Sequence, residues 1–529
     1  MPSFITQRRW FAGKDRTLRG VKVVDVVPMA IGRRRPLAYL VTVEVDYVGA
    51  DSERYLLTLT DAQGDRAHEL ATYRPDAVVA RLERRSGGEA GLLIDAITDE
   101  AFCEELLASI GRGREHPGAR GVAAVGSSGT QLRRLLADTE LEVKLIGAEQ
   151  SNTSVVFGDQ VVVKLIRKIE VGENPEVEIG RALDDAGFDA TPAHLGHLEH
   201  RSSAGRTTLA VAQRFVHNEG DAWTYVLDQL GRFYEQVSTA DPDVAPPPGP
   251  GERALAEPVE VPEEVADLVG PMLGPVELLA QRTAELHRTL AAVPGEAFTP
   301  EPFSTLYQRS LYQSFRGQTR STMSLVRRRL KSGRASMADD VVDDLEHLLS
   351  QEGAVLDHFG QVRAHRLDTV RTRIHGDFHL GQVLWTGRDM VLIDFEGEPS
   401  RPIGERRIKR SPLVDVAGML RSFRYAAAVG LGVVVERGVA SDEPEDRARL
   451  ARWGEVWRSW VEASFVGSYL AGVGSDGLVP SDEADLAMLL GVYELEKALY
   501  ELRYELQYRP TWVTIPLRSI LGRLSSGGT

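Results

Sequence analysis

The stretch Arg373-Ile-His375-Gly-Asp377-Phe-His379-Leu-Gly-Gln382-Val-Leu-Trp385, followed by Leu392-Ile-Asp394-Phe-Glu396, constrains this chain more than any other. It sets two aspartates 17 residues apart, each at the edge of a short apolar strand. Residues 383–394 read as a β-hairpin with Thr386-Gly387-Arg388-Asp389 as its turn, which returns Gln382 and Asp394 to one mouth. A single Asp would be an ordinary polar hairpin end. With His375, His379 and Gln382 at fixed offsets, the pair Asp377 and Asp394 fits phosphoryl transfer, which needs one Asp to take an acceptor's proton and a second to hold Mg²⁺ on nucleotide phosphates. Two histidines at i, i+4 bind zinc on a helix, but Gly376 and Gly381 suit a loop, which sets zinc hydrolysis aside.

At 529 residues the chain exceeds a single core, so two or three domains are expected. Hydrophobic content of 43% and charged content of 26% are those of a soluble globular protein. No run of about 18 apolar residues marks a membrane span, and no apolar signal core follows Arg8-Arg9. Cys103 stands alone, which excludes a disulfide framework and a cysteine zinc site; the expected location is cytoplasmic. A net charge of −15 argues against a nucleic-acid partner. A local basic run, with Arg406, Arg407, Lys409 and Arg410 just after the Asp394 strand, is either a solvated face or a phosphate-side group.

Residues 20–60 alternate with period two, as in Tyr39, Val41, Val43, Val45 and Tyr55, Leu57, Leu59. The alternation slips between Val23 and Val24, which a β-bulge would explain. Turns at Gly32-Arg33-Arg34-Arg35-Pro36 and Gly49-Ala50-Asp51-Ser52 complete a small antiparallel sheet, ending near Arg84-Arg85-Ser86-Gly87-Gly88. Phe102, Leu106, Leu107 and Ile110 mark an amphipathic helix, and 142–146, 154–157, 160–166 and 209–216 read as strands of one sheet. Beyond 216 the chain is mainly helical, interrupted by a Pro- and Glu-rich stretch at 240–265 that suits an exposed insertion. The expected division is a β cap over 1–90, an α/β lobe over 91–216 and a helical lobe over 217–529.

Upstream, Gly147-Ala-Glu149-Gln150-Ser151-Asn152-Thr153-Ser154 is a polar turn whose amides, hydroxyls and backbone N–H groups suit phosphate binding. It matches neither G-x-x-x-x-G-K-[ST] nor G-x-G-x-x-G, so a plain hairpin turn stands beside that reading. Lys164 lies within the apolar run Val161-Val-Val-Lys-Leu-Ile166, where burial is costly without an anion. It is either an exposed edge-strand residue or an ATP lysine. Asn174 reads as an N-cap with Pro175 at the first helical position, and Glu178, in preference to Glu176, is expected to reach back to Lys164. The strand ending Gln213-Arg214-Phe215-Val216 sits where adenine would be held by backbone groups. Ser411-Pro412 opens another helix, in which Asp415 is either a dipole partner or a brace for the catalytic loop.

These residues together resemble the bacterial maltokinases, of the aminoglycoside-phosphotransferase-like branch of the kinase-like fold. The resemblance is carried by Arg8-Arg9-Trp10-Phe11-Ala12-Gly13-Lys14, Glu149-Gln150-Ser151-Asn152-Thr153-Ser154, Asn174-Pro175-Glu176-Val177-Glu178, the His375–Gln382 and Asp394–Pro399 strings, and Tyr493-Glu-Leu-Glu496-Lys497-Ala-Leu-Tyr500-Glu501-Leu-Arg503-Tyr504 running to Arg509-Pro510-Thr-Trp512. It implies an α+β, bilobal protein-kinase-like fold with an N-terminal antiparallel β cap and a mainly helical C-terminal lobe. It implies phosphorylation of maltose by ATP at the anomeric hydroxyl, feeding α-glucan assembly, with possible association with trehalose synthase. Residue by residue, it implies Asp377 as base, Gln382 and Asp394 as Mg²⁺ ligands with Glu396 beside them, and Lys497, Tyr500 and Tyr504, with His379, toward the sugar. Many related enzymes carry Asn where Gln382 stands.

Lys497, Tyr500, Glu501 and Tyr504 fall at i, i+3, i+4 and i+7 and so share a helix face. Charged hydrogen-bonding groups beside aromatic faces suit a sugar; a surface helix laced with ion pairs is the plain alternative. Other acceptors, such as glucosamine, glucose or an aminoglycoside-like sugar, keep the reaction class. A non-catalytic scaffold would have lost Lys164, Asp377, Gln382 or Asp394, and all four are present.

Overall fold

A computed structural model describes residues 1–30, 37–83, 91–118, 123–138, 141–146, 151–241, 243–250 and 261–526. The expected turns at 32–36 and 84–88, and residues 147–150 of the polar loop with Gln150 among them, lie outside the described residues. The chain forms two compact units, Met1–His217 with Pro399–Arg407, and Asn218–Glu398 with Ile408–Thr529.

In the first unit a short helix α1 (Pro2–Thr6) precedes three long strands rich in β-branched and aromatic residues, β1 (Leu18–Ala30), β2 (Leu37–Tyr47) and β3 (Glu53–Ala62). After α2 (Gly64–Tyr73) come β4 (Val78–Leu82) and β5 (Gly91–Asp95), giving an antiparallel sheet ordered β1-β2-β3-β5-β4. The slip in alternation is a register shift between Val23 and Asp25. Val41, Val43, Val45 and Tyr47 cluster with Trp10 and Phe11. The Ala12 N–H donates to the Tyr55 hydroxyl at 3.2 Å, and a Cβ on Gly13 would stand 2.2 Å from the Tyr47 hydroxyl. The Trp10-Phe11-Ala12-Gly13 string is thus packed as a cover on this sheet.

Helix α3 (Glu100–Arg112) is capped by the Asp99 carboxylate and ends at Gly113, whose φ of 62° only glycine adopts cheaply. It buries Phe102, Leu106, Leu107 and Ile110, as their spacing predicts. The second sheet uses β6 (Glu115–Pro117), β7 (Ala123–Ser128), then, after α4 (Thr130–Asp138), β8 (Val143–Leu145), β9 (Thr153–Phe157) and β10 (Val161–Leu165). After β10, β11 (Lys168–Ile169) pairs with β3, so the chain passes from one sheet to the other within a few residues. Helix α5 (Pro175–Asp185) follows, then β12 (His194–Ser202) and β13 (Gly205–Arg214), which complete the order β6-β7-β12-β13-β10-β9-β8.

The second unit is mainly helical: α6 (Ala222–Ser238), α7 (Glu263–Ala292), β14 (Glu301–Pro302), α8 (Thr305–Gly333), α9 (Asp339–Ser350), α10 (Glu352–Gly360) and β15 (Val370–Arg371). The hairpin β16 (Val383–Trp385) and β17 (Met390–Leu392) pairs Val383 with Leu392, and the Thr386 N–H closes the turn on the Asp389 carbonyl at 3.0 Å. After the one-turn α11 (Ile403–Arg406), which belongs to the first unit, come α12 (Leu413–Glu436), α13 (Pro444–Val473), α14 (Glu483–Tyr508) and α15 (Thr514–Ser526). Helix α12 packs on α6, α13 and α14. It is long and apolar enough to cross a membrane, but 67% of its most apolar window is buried inside the protein, as in a core helix. Part of the Pro-rich insertion lies along α13, where the Trp460 indole donates to the Pro248 carbonyl at 3.3 Å; residues 251–260 lie outside the described residues.

Candidate active site

Asp377 sits on a loop that α12 holds by its backbone. The Asp415 carboxylate accepts the His375 N–H at 2.7 Å and the Gly376 N–H at 2.9 Å. His287 Nε2 on α7 donates to the same carboxylate at 3.0 Å, and its Nδ1 takes the Tyr469 hydroxyl of α13 at 2.9 Å. Of the two roles open to Asp415 in the sequence, the geometry is that of a brace. The loop also lies against α12 at Gly418, where a Cβ would stand 2.5 Å from the Phe378 carbonyl.

The other end of the loop is tied to the Asp394 strand. His375 Nε2 donates to the Ile393 carbonyl at 2.9 Å, and the Ile393 N–H donates to the Gln382 carbonyl at 3.0 Å. The hairpin thereby brings Gln382 Nε2 to 3.0 Å from Asp394 Oδ2. Asp394 has a φ of 70°, a left-handed conformation that costs a non-glycine residue about 1–3 kcal/mol. Gln382, Asp394 and the buried Glu396 offer only hard oxygen donors once the Gln382 amide turns its oxygen inward, a set suited to Mg²⁺. Among the described residues no group of three or more His, Cys, Asp or Glu is poised for a metal, so an ion here would complete its shell with water or phosphate oxygens.

The face of α14 reaches Asp377. Lys497 Nζ lies 3.1 Å from Asp377 Oδ1 and 3.8 Å from Glu398 Oε2, and the Tyr500 hydroxyl donates to Glu398 Oε1 at 2.7 Å. Burial pushes the Asp377 carboxyl up, but the Lys497 ammonium outweighs it and holds Asp377 below the usual carboxylate range. Burial likewise opposes the Lys497 charge, yet Asp377 and Glu398 raise its pKa well above normal. His379 is pushed down by burial, so it is neutral near pH 7; its Nδ1 accepts the Gly381 N–H at 3.1 Å, leaving the proton on Nε2. Glu501 is engaged by the buried Arg421 through Nε and Nη2, at 2.9 and 2.6 Å. Tyr504, at the far end of the face and 40% exposed, packs its ring at a tilt against Tyr508 and beneath the Arg509 guanidinium. Glu398 is the member that residue-level reasoning left unassigned; its signal was a third carboxylate just past Asp394 and Glu396.

In the first unit, β10 places Lys164 opposite Ser154 of β9. Lys164 Nζ pairs with Glu176 Oε1 at 3.0 Å, which also accepts the Gln213 side-chain amide at 2.9 Å. The expected partner, Glu178, is instead held by Arg407 through Nε and Nη2 at 3.0 and 2.6 Å. The physical reason is helical: residues two apart on α5 point to nearly opposite faces, and Asn174 caps the helix so that Glu176 is the one turned inward. Gln213 therefore offers its side chain to the Lys164 pair, while its backbone lies in the ladder opposite Val162 and His194. The Phe215 N–H donates to the Gln160 carbonyl at 2.8 Å. Ser151 is exposed, and Asn152 and Thr153 are tied to Arg167. The basic run is largely consumed by carboxylates: Arg406 by Glu170, Arg407 by Glu178 and Lys409 by Glu301.

Residues 4–99 match the maltokinase N-terminal cap domain. The chain is 26% identical over 377 residues to a glucosamine kinase of Streptacidiphilus jiangxiensis, spanning 70% of each. It is 27% identical over 388 residues to a glucosamine kinase of Mycolicibacterium smegmatis, spanning 72% of this chain and 79% of that one. A solved glucosamine kinase in complex with glucosamine, ADP and inorganic phosphate superposes with a TM-score of 0.60 at 18% identity, over 98% of both chains. The fold is accordingly the aminoglycoside-phosphotransferase-like kinase fold, with an N-terminal antiparallel β cap and a helical C-terminal part.

Proposed function

We propose that the protein transfers the γ-phosphoryl group of ATP to a hydroxyl of a sugar. The observation that carries this reading is the Lys497–Asp377 pair at 3.1 Å, at one end of a loop whose other end joins Gln382 to Asp394. Asp377, kept ionised, accepts the proton of the attacking hydroxyl. Lys497, beside it, offsets negative charge gathering there, and His379 Nε2–H is available as a donor to the acceptor. Lys164, fixed by Glu176 and Gln213, holds nucleotide phosphate oxygens, with Ser151, Asn152, Thr153 and Ser154, and Gln150 of the undescribed part, lining them. Phe215 offers a backbone carbonyl to the base. Gln382 and Asp394, with Glu396 behind them, would hold Mg²⁺, which supplies charge neutralisation on the phosphates.

For the acceptor, we favour maltose at its anomeric hydroxyl. The cap match supports it, as does electrostatics: the carboxylates on this side of the site, Asp377 and Glu398, already face the Lys497 ammonium, which would repel a protonated amino sugar. Tyr500 and the more distant Tyr504 would then provide aromatic faces for the disaccharide. A role in α-glucan assembly, and association with trehalose synthase, follow only from that acceptor. Glucosamine is the second reading, favoured by two relatives that span about 70% of the chain. A coupled ADP-release assay with ATP and Mg²⁺ over maltose, glucosamine and glucose separates them. Maltose-dependent release with an acid-labile phosphate ester supports the first; turnover with glucosamine alone transfers the assignment to an amino sugar. No release with any of the three would sink the sugar-kinase reading for these acceptors.

A further inference from the structure

We infer that the exposed face of α8 is an interaction surface for a strongly acidic segment of a partner protein, which a straight row of cations, Arg309, Arg316, Arg320, Arg327 and Lys331, would hold. The inference is independent of the proposed nucleotide and acceptor chemistry.

The chain carries a net charge of −15, yet between Thr305 and Gly333 this helix holds seven cationic side chains and no carboxylate. The five cations of the row are spaced i, i+7, i+11, i+18 and i+22. At 3.6 residues per turn they fall within about 40° of one line, so the row is straight and about 33 Å long. The helix buries Leu311, Phe315, Thr319, Thr322 and Val326 and packs on α9, α10 and α14, which leaves the row off its packed face. Arg309, Arg320, Arg327 and Lys331 are exposed and Arg316 is half-buried. Among the described residues, only Arg327 of the row has an ion-pair partner, the Glu352 carboxylate at 2.6 Å. Tyr312, at i+3 from Arg309 and i−4 from Arg316, carries the Arg363 guanidinium 3.6 Å from its ring centre, which sets another cation beside the row.

This arrangement does not serve the helix itself. Arg316 with Arg320, and Arg327 with Lys331, are like charges at i, i+4, a spacing that weakens a helix where a carboxylate would strengthen it. An unopposed row becomes favourable only when anions come from outside. The chemistry of the face narrows the partner. Between Arg309 and Lys331 every exposed position that is not a cation is serine, glutamine or glycine. No aromatic ring is offered there for bases to stack on, and no apolar side chain to enter a bilayer. A broad polyanion would also meet the acidic remainder of the chain, beginning with Asp339, Asp340, Asp343 and Asp344 on α9. A narrow acidic segment meets the row alone. Four of the five cations are arginines, whose planar fork matches a carboxylate in two parallel hydrogen bonds.

The test titrates the full chain into a labelled poly-L-glutamate of about 12 residues, long enough when extended to span the row, at low ionic strength with anisotropy as readout. Parallel arms use a duplex DNA of about 20 base pairs and phosphatidylserine vesicles. The variants are the double substitution Arg316→Gln/Arg320→Gln and, as a control away from the row, Arg447→Gln, which removes an exposed arginine paired with Asp442. The wild-type chain should bind the peptide saturably and more weakly as salt rises. The double variant should lose about tenfold in affinity, while Arg447→Gln stays within about twofold. The melting temperature of the double variant should equal or exceed that of the wild type, because a like-charge pair is relieved. No peptide binding by the wild type, or equal binding by the double variant, overturns the surface. Tighter binding of DNA or vesicles than of peptide, lost in the same variant, overturns the choice of a polypeptide partner.

Discussion

At the scale of single residues, the site depends on which carboxylate meets which cation. Glu176, buried and shared by Lys164 and Gln213, should matter far more than its neighbour Glu178. Replacing Glu176 by Gln should raise the ATP KM about tenfold or more and lower the melting temperature, because breaking a buried pair is costly. Glu178→Gln, which loses a partly exposed contact with Arg407, should change the ATP KM less than about threefold; steady-state kinetics on both variants decides the order. The sequence made the Asn174 cap and Pro175 legible because capping is local chemistry, but the choice between two glutamates depended on which face of α5 meets β10. His194 supplies a separate test. Burial, with the charges of His197 and Arg181, pushes it down to about 3. Below pH 6.5 the unfolded chain takes a proton that the folded chain refuses, so stability rises with pH between about 3 and 6.5. Urea unfolding at pH 7 and pH 5 should show a loss of at most about 2 kcal/mol from this residue, absent in His194→Gln.

At the scale of elements, α12 is the part on which the proposed catalytic loop is built. It contributes Asp415 to two loop N–H groups and a bare backbone at Gly418. Gly418→Ala would force a methyl to within 2.5 Å of the Phe378 carbonyl, one residue from Asp377. Backbone cannot yield as a flexible side chain does, so the variant should lose about 1–3 kcal/mol of stability and fall in kcat more than in acceptor affinity. Unchanged kcat and melting temperature would show that the loop does not rest on this contact. Hairpin β16–β17 was legible because its turn chemistry and apolar alternation are contiguous. The bulge at Val23 was legible for the same reason. Asp415, 40 residues from the loop it braces, could only be given two equal roles from sequence, and its supports His287 and Tyr469 lie on other helices. The basic run after Asp394 illustrates the converse: the carboxylates that consume its cations are distant in sequence, Glu170 just after β11, Glu178 on α5 and Glu301 on β14.

At the scale of the whole molecule, the strings that announced the reaction class are split between the two units, with Lys164 and the loop in one and Asp377, Asp394 and Lys497 in the other. Lys497 is 120 residues from Asp377, and nothing in local pattern joins them; the family resemblance named the helix, and the geometry supplied the 3.1 Å contact. The acceptor stays the least legible property, since Lys497, Tyr500 and Glu398 would serve any polyol and only their charge balance favours a neutral one.

The most direct test of the central claim compares wild-type protein with Asp377→Asn for both turnover and ATP binding. If Asp377 is the base, kcat should fall by about 10²–10⁴, with the ATP Kd within about threefold of wild type and the melting transition preserved. Turnover within tenfold of wild type in the folded variant would remove Asp377 from the chemistry and the proposed mechanism with it.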